Sequence, residues 1–376
     1  MDRRHLEPRR AAGLPASRKR KGAAMSTASK IEWTDATWNP IVGCSIVSPG
    51  CTHCYAMRDA WRKHHNPAIP HYRDLTKSVN GNAVWTGKLA LAPDHILTAP
   101  LHWKKPRRIF VNSMGDLFHE DAPDEWIDKV FAVMALCPQH QFQVLTKRAE
   151  RMRAHMTAEH PAPNVKAWQA RVCAAIDDLV PERTNASRAA RDRVLKGPLD
   201  NVWKGVSAER QQEADARIPH LLQTPAAIRF VSAEPLLGAI DLTSIADNSE
   251  EDEFTRINAL NGDEGICLKR IGGPRLDWII VGGESGPNAR PMRPVWARSL
   301  RDQCDAADVP FFFKQWGAWA PCDVFDPPHG DSHHVVMDGQ WFARVGKDAA
   351  GRLLDGREWN GWPIARADAP VSGAAD

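Results

Sequence analysis

Three cysteines within eleven residues, Cys44, Cys51 and Cys54, constrain this chain more than any other feature. They follow the spacing C-x6-C-x2-C inside the run Trp38-Asn39-Pro40-Ile41-Val42-Gly43-Cys44, which continues to Cys54-Tyr55. Trp38 to Cys44 is apolar enough for a short buried strand, and Tyr55 to His65 reads as a helix. The sulfurs therefore fall on the loop that leaves a strand. Thiolates are soft ligands that select zinc, copper(I) or iron–sulfur clusters. Closed iron–sulfur sites use four cysteines, so three on one loop would leave one iron of a four-iron cluster open to a ligand. The plainer alternative is structural zinc, because Cys51-x2-Cys54 is a zinc half-site with His53, His64 or His65 as candidate partners. No second C-x2-C follows, and the iron–sulfur reading is preferred.

Composition narrows the rest. The chain has 376 residues, 43% hydrophobic and 25% charged, with a formal charge of +3. That is ordinary globular material. Residues 1–24 carry eight Lys or Arg against two acids and lack periodicity. They are expected to be a disordered basic extension, upstream of the natural start or acting as a nucleic-acid arm. No apolar run reaches the roughly 18 residues of a membrane span, and no signal-peptide pattern opens the chain, so a cytoplasmic protein with no membrane association is expected. Of eight cysteines, Cys137, Cys173, Cys267, Cys304 and Cys322 are scattered and expected to be buried small hydrophobes.

From residue 108 onward the sequence alternates. Short apolar runs at 108–114, 141–146, 202–206, 228–231, 278–281 and 310–313 are separated by helical patterns at 124–136, 149–156, 211–222 and 295–307. Continuous apolar strands between helices predict a parallel sheet covered on both faces. Residues 66–107 read as a long connection. Residues 157–200, partly helical around 165–179, and residues 244–275 read as insertions. Residues 318–376 read as a small β-hairpin cap and a tail that frays after about 365. About seven strands result, ending at Cys44, Asp116, Lys147, Glu209, Glu234, Glu284 and Lys314. Polar residues can simply mark where strands stop. In α/β barrels and open α/β sheets, however, the site is built at those ends, and seven such ends would share one mouth.

The three-cysteine loop after a first strand, with Tyr55 following the last cysteine, resembles the radical S-adenosylmethionine (SAM) superfamily. The segments Ile31-Glu32-Trp33-Thr34-Asp35-Ala36-Thr37-Trp38-Asn39-Pro40, Asn112-Ser113-Met114-Gly115-Asp116-Leu117-Phe118, Val144-Leu145-Thr146-Lys147-Arg148, Phe230-Val231-Ser232-Ala233-Glu234-Pro235-Leu236, Gly282-Gly283-Glu284-Ser285-Gly286 and Phe313-Lys314-Gln315-Trp316-Gly317 are similar to a phage-type three-cysteine-motif protein family. The likeness covers about residues 30–363. It implies an α/β fold, a radical SAM-type partial (β/α)6 TIM-like barrel over residues 25–317. It also implies a [4Fe–4S] cluster on Cys44, Cys51 and Cys54, SAM as cofactor, an electron donor and, in some settings, a partner protein. Most radical SAM proteins place three residues between the first two cysteines; this chain has six.

By the same resemblance, the turn Asn112 to Asp116 would hold the SAM amine, with Asp116 on its ammonium. Ser207 and Glu209 would meet the ribose hydroxyls. Gly282 and Gly283 would admit the adenine or substrate, or else form a tight turn. Lys147, Arg148 and Lys314 would make the mouth basic, binding a substrate phosphate or carboxylate or pairing with Glu234 and Glu284. Thr146-Lys147 is distantly similar to the radical SAM lyase that repairs a thymine photoproduct in spore DNA. A nucleotide or nucleic-acid substrate is the resulting expectation, with Trp85, Trp316 and Trp319 available for stacking unless they pack a core or lid. The alternatives are a zinc-containing nucleic-acid-binding or adaptor protein without catalysis, and a degenerate barrel that keeps its cluster and serves a partner protein.

Overall fold

A computed structural model of the protein describes residues 29, 31–247, 255–264, 272–322 and 334–364. The basic extension 1–24, Cys267, part of the acidic stretch within 244–275 and the tail after 364 lie outside the described residues. Seven parallel strands form the main sheet in chain order: β1 Ala36–Trp38, β2 Arg108–Val111, β3 Gln141–Thr146, β4 Val202–Ser207, β5 Arg229–Ala233, β6 Trp278–Gly282 and β7 Phe311–Gln315. Each pairs in parallel with the next, so every connection is a crossover. The crossovers carry helices α1 Tyr55–Lys63, α2 Asp124–Leu136, α3 Ala149–Thr157, α4 Ala167–Leu179, α5 Asn185–Lys196, α6 Gln211–Gln223 and α7 Pro294–Ala306.

The sheet curls. On a flat sheet β1 and β6 would lie five strand spacings apart, about 24 Å. Yet Trp33, just before β1, meets Trp278 of β6 edge-on with ring centroids 6.4 Å apart. The result is an open seven-stranded half-barrel, one strand more than the six of the expected barrel. Strand pleating explains why these strands carry apolar residues on both faces. Ile109, Val111, Val202, Val206, Val231, Ile279 and Val281 face the helices, while Phe110, Trp203, Phe230, Trp278, Ile280 and Phe312 pack inside the curl.

Three expectations need correction. The first strand is Ala36–Trp38, not Trp38–Cys44. Pro40 lacks an N–H for a ladder, and Ile41–Val42 leaves the sheet to pair antiparallel with Ala90–Leu91. Second, residues 66–107 hold structure of their own, including a hairpin that pairs Thr76–Val79 with Asn82–Trp85. Third, the cap is a three-stranded antiparallel sheet of Trp319–Cys322, Gln340–Arg344 and His334–Met337, one strand beyond a hairpin.

The 157–200 insertion is two helices. Thr184 caps α5 by accepting a hydrogen bond from the Ser187 N–H at 3.1 Å, and Gln169 of α4 donates to the Val194 carbonyl at 2.8 Å. Part of the 244–275 insertion is a small sheet of Ile245–Ala246, Arg256–Asn258 and Asp263–Glu264. After the cap the chain runs back beside β7, with the Phe313 N–H donating to the Trp359 carbonyl and the Gly361 N–H to that of Phe311. This covers the sheet edge and brings Trp362 within 4.7 Å of Trp278. No helix among the described residues is long and apolar enough to cross a membrane.

Candidate functional site

Two to four residues beyond the aromatic interior, the inward positions on or just after β2, β4, β5 and β7 turn polar. They border a cavity of about 250 Å³ at the C-terminal end of the sheet. Cys44, Cys51 and Cys54 all line it, as do Asn112, Asp116, Lys147, Arg148, Ser207, Glu234, Gly283, Glu284 and Lys314. Trp33, Phe110 and Leu145 reach it from the apolar interior below. Among the described residues, no three His, Cys, Asp or Glu side chains are gathered so that they could hold a metal ion.

The cysteine loop is tied down by three side chains and one backbone carbonyl from the segments that follow four strands. Ser48 donates to Glu209 at 2.7 Å, and Gly50 lies so close that a Cβ there would fall 2.2 Å from the Glu209 carboxylate. Arg148 donates to the Ser45 hydroxyl at 2.6 Å and to Cys44 Sγ at 3.4 Å. Arg290 donates to the Pro49 carbonyl at 2.9 Å and to both oxygens of Glu284. Tyr55, directly after the last cysteine, donates its hydroxyl to the Ser113 carbonyl at 3.0 Å. These contacts fix a loop that would otherwise be mobile, because a Gly- and Ser-containing loop has much conformational entropy to lose.

The positive mouth expected from Lys147, Arg148 and Lys314 is neutralised within the site. Lys147 pairs with fully buried Glu209, which also accepts from Arg217 at 2.9 Å. Arg148 pairs with Asp116 at 3.2 Å and Glu120 at 2.9 Å, and Lys314 pairs with Glu234 at 2.5 Å. Glu284 takes Arg290 rather than a lysine, and His53 Nδ1 also lies 3.0 Å from it. Burial raises Glu209 and Glu284, but their cationic partners, with hydrogen bonds, override it and hold both carboxyls below the ordinary carboxylate value. Burial likewise pushes the Cys44 thiol up to about 12, against the pull of Arg148, and raises Cys54. Occupation of these sulfurs by a metal would therefore release protons.

Asp116 lines the cavity with both oxygens already used. Oδ1 accepts from Thr146 Oγ1 at 2.6 Å and from the Phe118 N–H, and Oδ2 from the Lys147 N–H and Arg148. Its carboxylate joins the turn after β2 to the end of β3. Glu209 does not line the cavity; it sits beneath the cysteine loop. Gly283 is needed for packing, since a Cβ there would fall 2.0 Å from the Trp316 carbonyl oxygen, and Gly282 backs onto Glu234. Of the three tryptophans proposed for stacking, Trp85 lines the cavity. Trp316 and Trp319 pack on the core and donate their indole N–H groups to the carbonyls of Leu353 and Ala289. His64 and His65 do not line the cavity; they pack on Trp61.

Four buried polar atoms on cavity residues have no hydrogen-bond partner among the described residues: Trp33 Nε1, Asn112 Nδ2, Glu234 Oε1 and Gln315 Oε1. A buried polar group left unpaired costs on the order of 1–3 kcal/mol, so these two donors and two acceptors call for water or a polar ligand in the cavity. Sequence reasoning missed Trp33, Arg217, Arg290 and Ser48 as site residues. The first reads as ordinary core, and the others gain meaning only from their carboxylate partners.

No curated protein and no solved structure matches the chain. One family model, described as a protein of unknown function (DUF5131), matches residues 28–363. With nearly all of the described chain inside that match, the protein belongs to the DUF5131 family.

Proposed function

We propose that this chain is a [4Fe–4S] cluster-dependent, radical SAM-like enzyme of phage or prophage type, acting on a nucleotide or nucleic acid. The observation that carries the reading is that Cys44, Cys51 and Cys54 face one cavity at the C-terminal end of a parallel half-barrel. The donor set suits the group: three soft thiolates bind three irons of a four-iron cluster and leave the fourth for SAM. Thiolates on separate irons need not converge on one point as the ligands of a single ion do. When bound, the cluster and SAM would supply reductive cleavage of the sulfonium and abstraction of a hydrogen atom from substrate.

The chain's own residues have definite work in this reading. Arg148 donates to Cys44 Sγ and orients it; such hydrogen bonds tune a cluster's potential. Glu209 and Arg290 hold the loop from below and from the side. Glu234 Oε1 and Gln315 Oε1 accept from the ligand, and Asn112 Nδ2 and Trp33 Nε1 donate to it. Because Asp116 is saturated, Glu234 is the better carboxylate for a ligand ammonium, and Asp116 positions Arg148. The aromatic interior below the cavity keeps water away from the reacting centre.

Iron analysis after anaerobic reconstitution tests the reading. Wild type should hold about four irons per chain and be brown. Cys44→Ala, Cys51→Ala and Cys54→Ala should each lose colour and most of the iron. A colourless protein with one tightly held zinc, or a Cys51→Ala variant with unchanged iron, contradicts it.

A further inference from the structure

An open cleft adjoins the cavity mouth and shares Ser285 with it. Arg58 of α1, Gly286 and the cap residues Arg344, Gly346 and Lys347 line the cleft, and no Asp or Glu does. Its cations differ from those of the cavity. Arg58 is half-buried and has no hydrogen bond or ion pair among the described residues. Its guanidinium lies against Gly286, where a Cβ would fall 2.5 Å from Nη2 and where φ is +97°. Arg344 uses Nη2 to donate to the Gly286 carbonyl at 3.1 Å. Lys347 is paired with Glu32 at 2.8 Å.

A half-desolvated guanidinium without a carboxylate is held at a cost unless a ligand supplies the anion. Every cation lining the cavity already has its carboxylate, so the uncompensated charge sits next door. Guanidinium forks suit phosphate oxygens. Arg58 follows Tyr55 by one helical turn, and Tyr55 lines the cavity while remaining 43% exposed. An open basic groove with an aromatic at its rim is how single strands are held, and a closed pocket beside it is how a target base is taken out of the strand.

We propose that the Arg58–Arg344–Lys347 cleft binds a backbone phosphate of a single-stranded nucleic acid whose reacting nucleotide turns into the cavity. This rests on the reading of the cavity as the active site. The test is fluorescence anisotropy with a short fluorescein-labelled single-stranded DNA, titrated at several salt concentrations, on reconstituted full-length protein of measured iron content. Arg58→Glu should weaken binding roughly tenfold or more and lower the log–log salt slope by about one, with iron content unchanged. Lys347→Gln should weaken it in the same direction by less. Equal affinity and slope in wild type and Arg58→Glu overturns the proposal. So does a wild-type protein that binds a nucleoside monophosphate as tightly as the strand. Absence of iron would sink the cofactor reading while leaving the anisotropy result to judge the cleft.

Discussion

At the lower end of the half-barrel the inward positions hold Phe110, Trp203, Phe230, Trp278 and Phe312, with Trp33 and Trp362 closing around them. Two to four residues further along the Phe110, Trp203, Phe230 and Phe312 strands, the inward positions hold Asn112, Ser207, Ser232, Glu234 and Lys314. The lower set is held by ring contact: tilted and edge-on ring pairs at 4.8–6.4 Å add to the burial of large apolar area, and Trp278 also donates its indole N–H to the Gly361 carbonyl at 2.8 Å. The upper set is tolerated because nearly every charge meets an opposite one. Buried ion pairs are often no more stabilising than apolar residues of the same volume. On the function proposed above, their presence at one end, over a loop of three thiols, makes that end the site of chemistry and leaves the other to stability.

The largest expected effect breaks the lower end. Trp278→Ala should cost about 3–5 kcal/mol in denaturant unfolding, because it leaves a cavity among five rings. A cost under about 1 kcal/mol would mean that the aromatic interior is not the stabilising half.

Glu209→Gln comes next, at roughly 3 kcal/mol, because it strands Lys147 and Arg217 without their carboxylate. The same variant should loosen the cysteine loop and speed proteolysis there, which Trp278→Ala should not do selectively.

Acid should act through the upper end. Glu209 and Glu284 have folded-state values below the ordinary 4.5. Their stabilisation is complete above that value and is lost as pH falls through the depressed ones. A pH series of unfolding should fall on acidification below about 4.5, and Glu284→Gln should flatten part of that fall. An unchanged acid limb in this variant would remove the upper network as its source.

The smallest effect sharpens the contrast. Lys204 is fully buried on the helix-facing side of β4, its ammonium donating to the Pro225 carbonyl at 2.9 Å. Burial first, then Arg229, brings it down to about 7. The unfolded chain therefore binds more protons between about 7 and 10.5, and stability should rise with pH across that window. Lys204→Met should raise stability near neutrality by about 1–2 kcal/mol and remove that slope, as expected for a charge outside the cysteine site.

Much of this architecture was legible in the sequence. Parallel strands share a direction, so polar residues at the ends of several must meet at one mouth, and Cys44, Lys147, Glu234, Glu284 and Lys314 do. What could not be read was which charge faces which. Arg217 lies on α6 and Arg290 in the loop before α7, and only the fold brings them under Glu209 and Glu284. The helix α5 was hidden because its buried positions are small residues, Ser187 and Ala190, with Val194. Pro40 was the overlooked signal for the early end of β1, and the fourfold occupation of Asp116 depends on backbone N–H groups that no sequence pattern specifies.

The central claim is that the three cysteines hold a cluster able to cleave SAM. It is tested most directly by incubating anaerobically reconstituted wild type and Cys51→Ala with SAM and a strong reductant, then quantifying 5′-deoxyadenosine. The account predicts product from the wild type and none above background from the variant. Equal yields from the two proteins, or none from a wild type carrying its full iron, would contradict it.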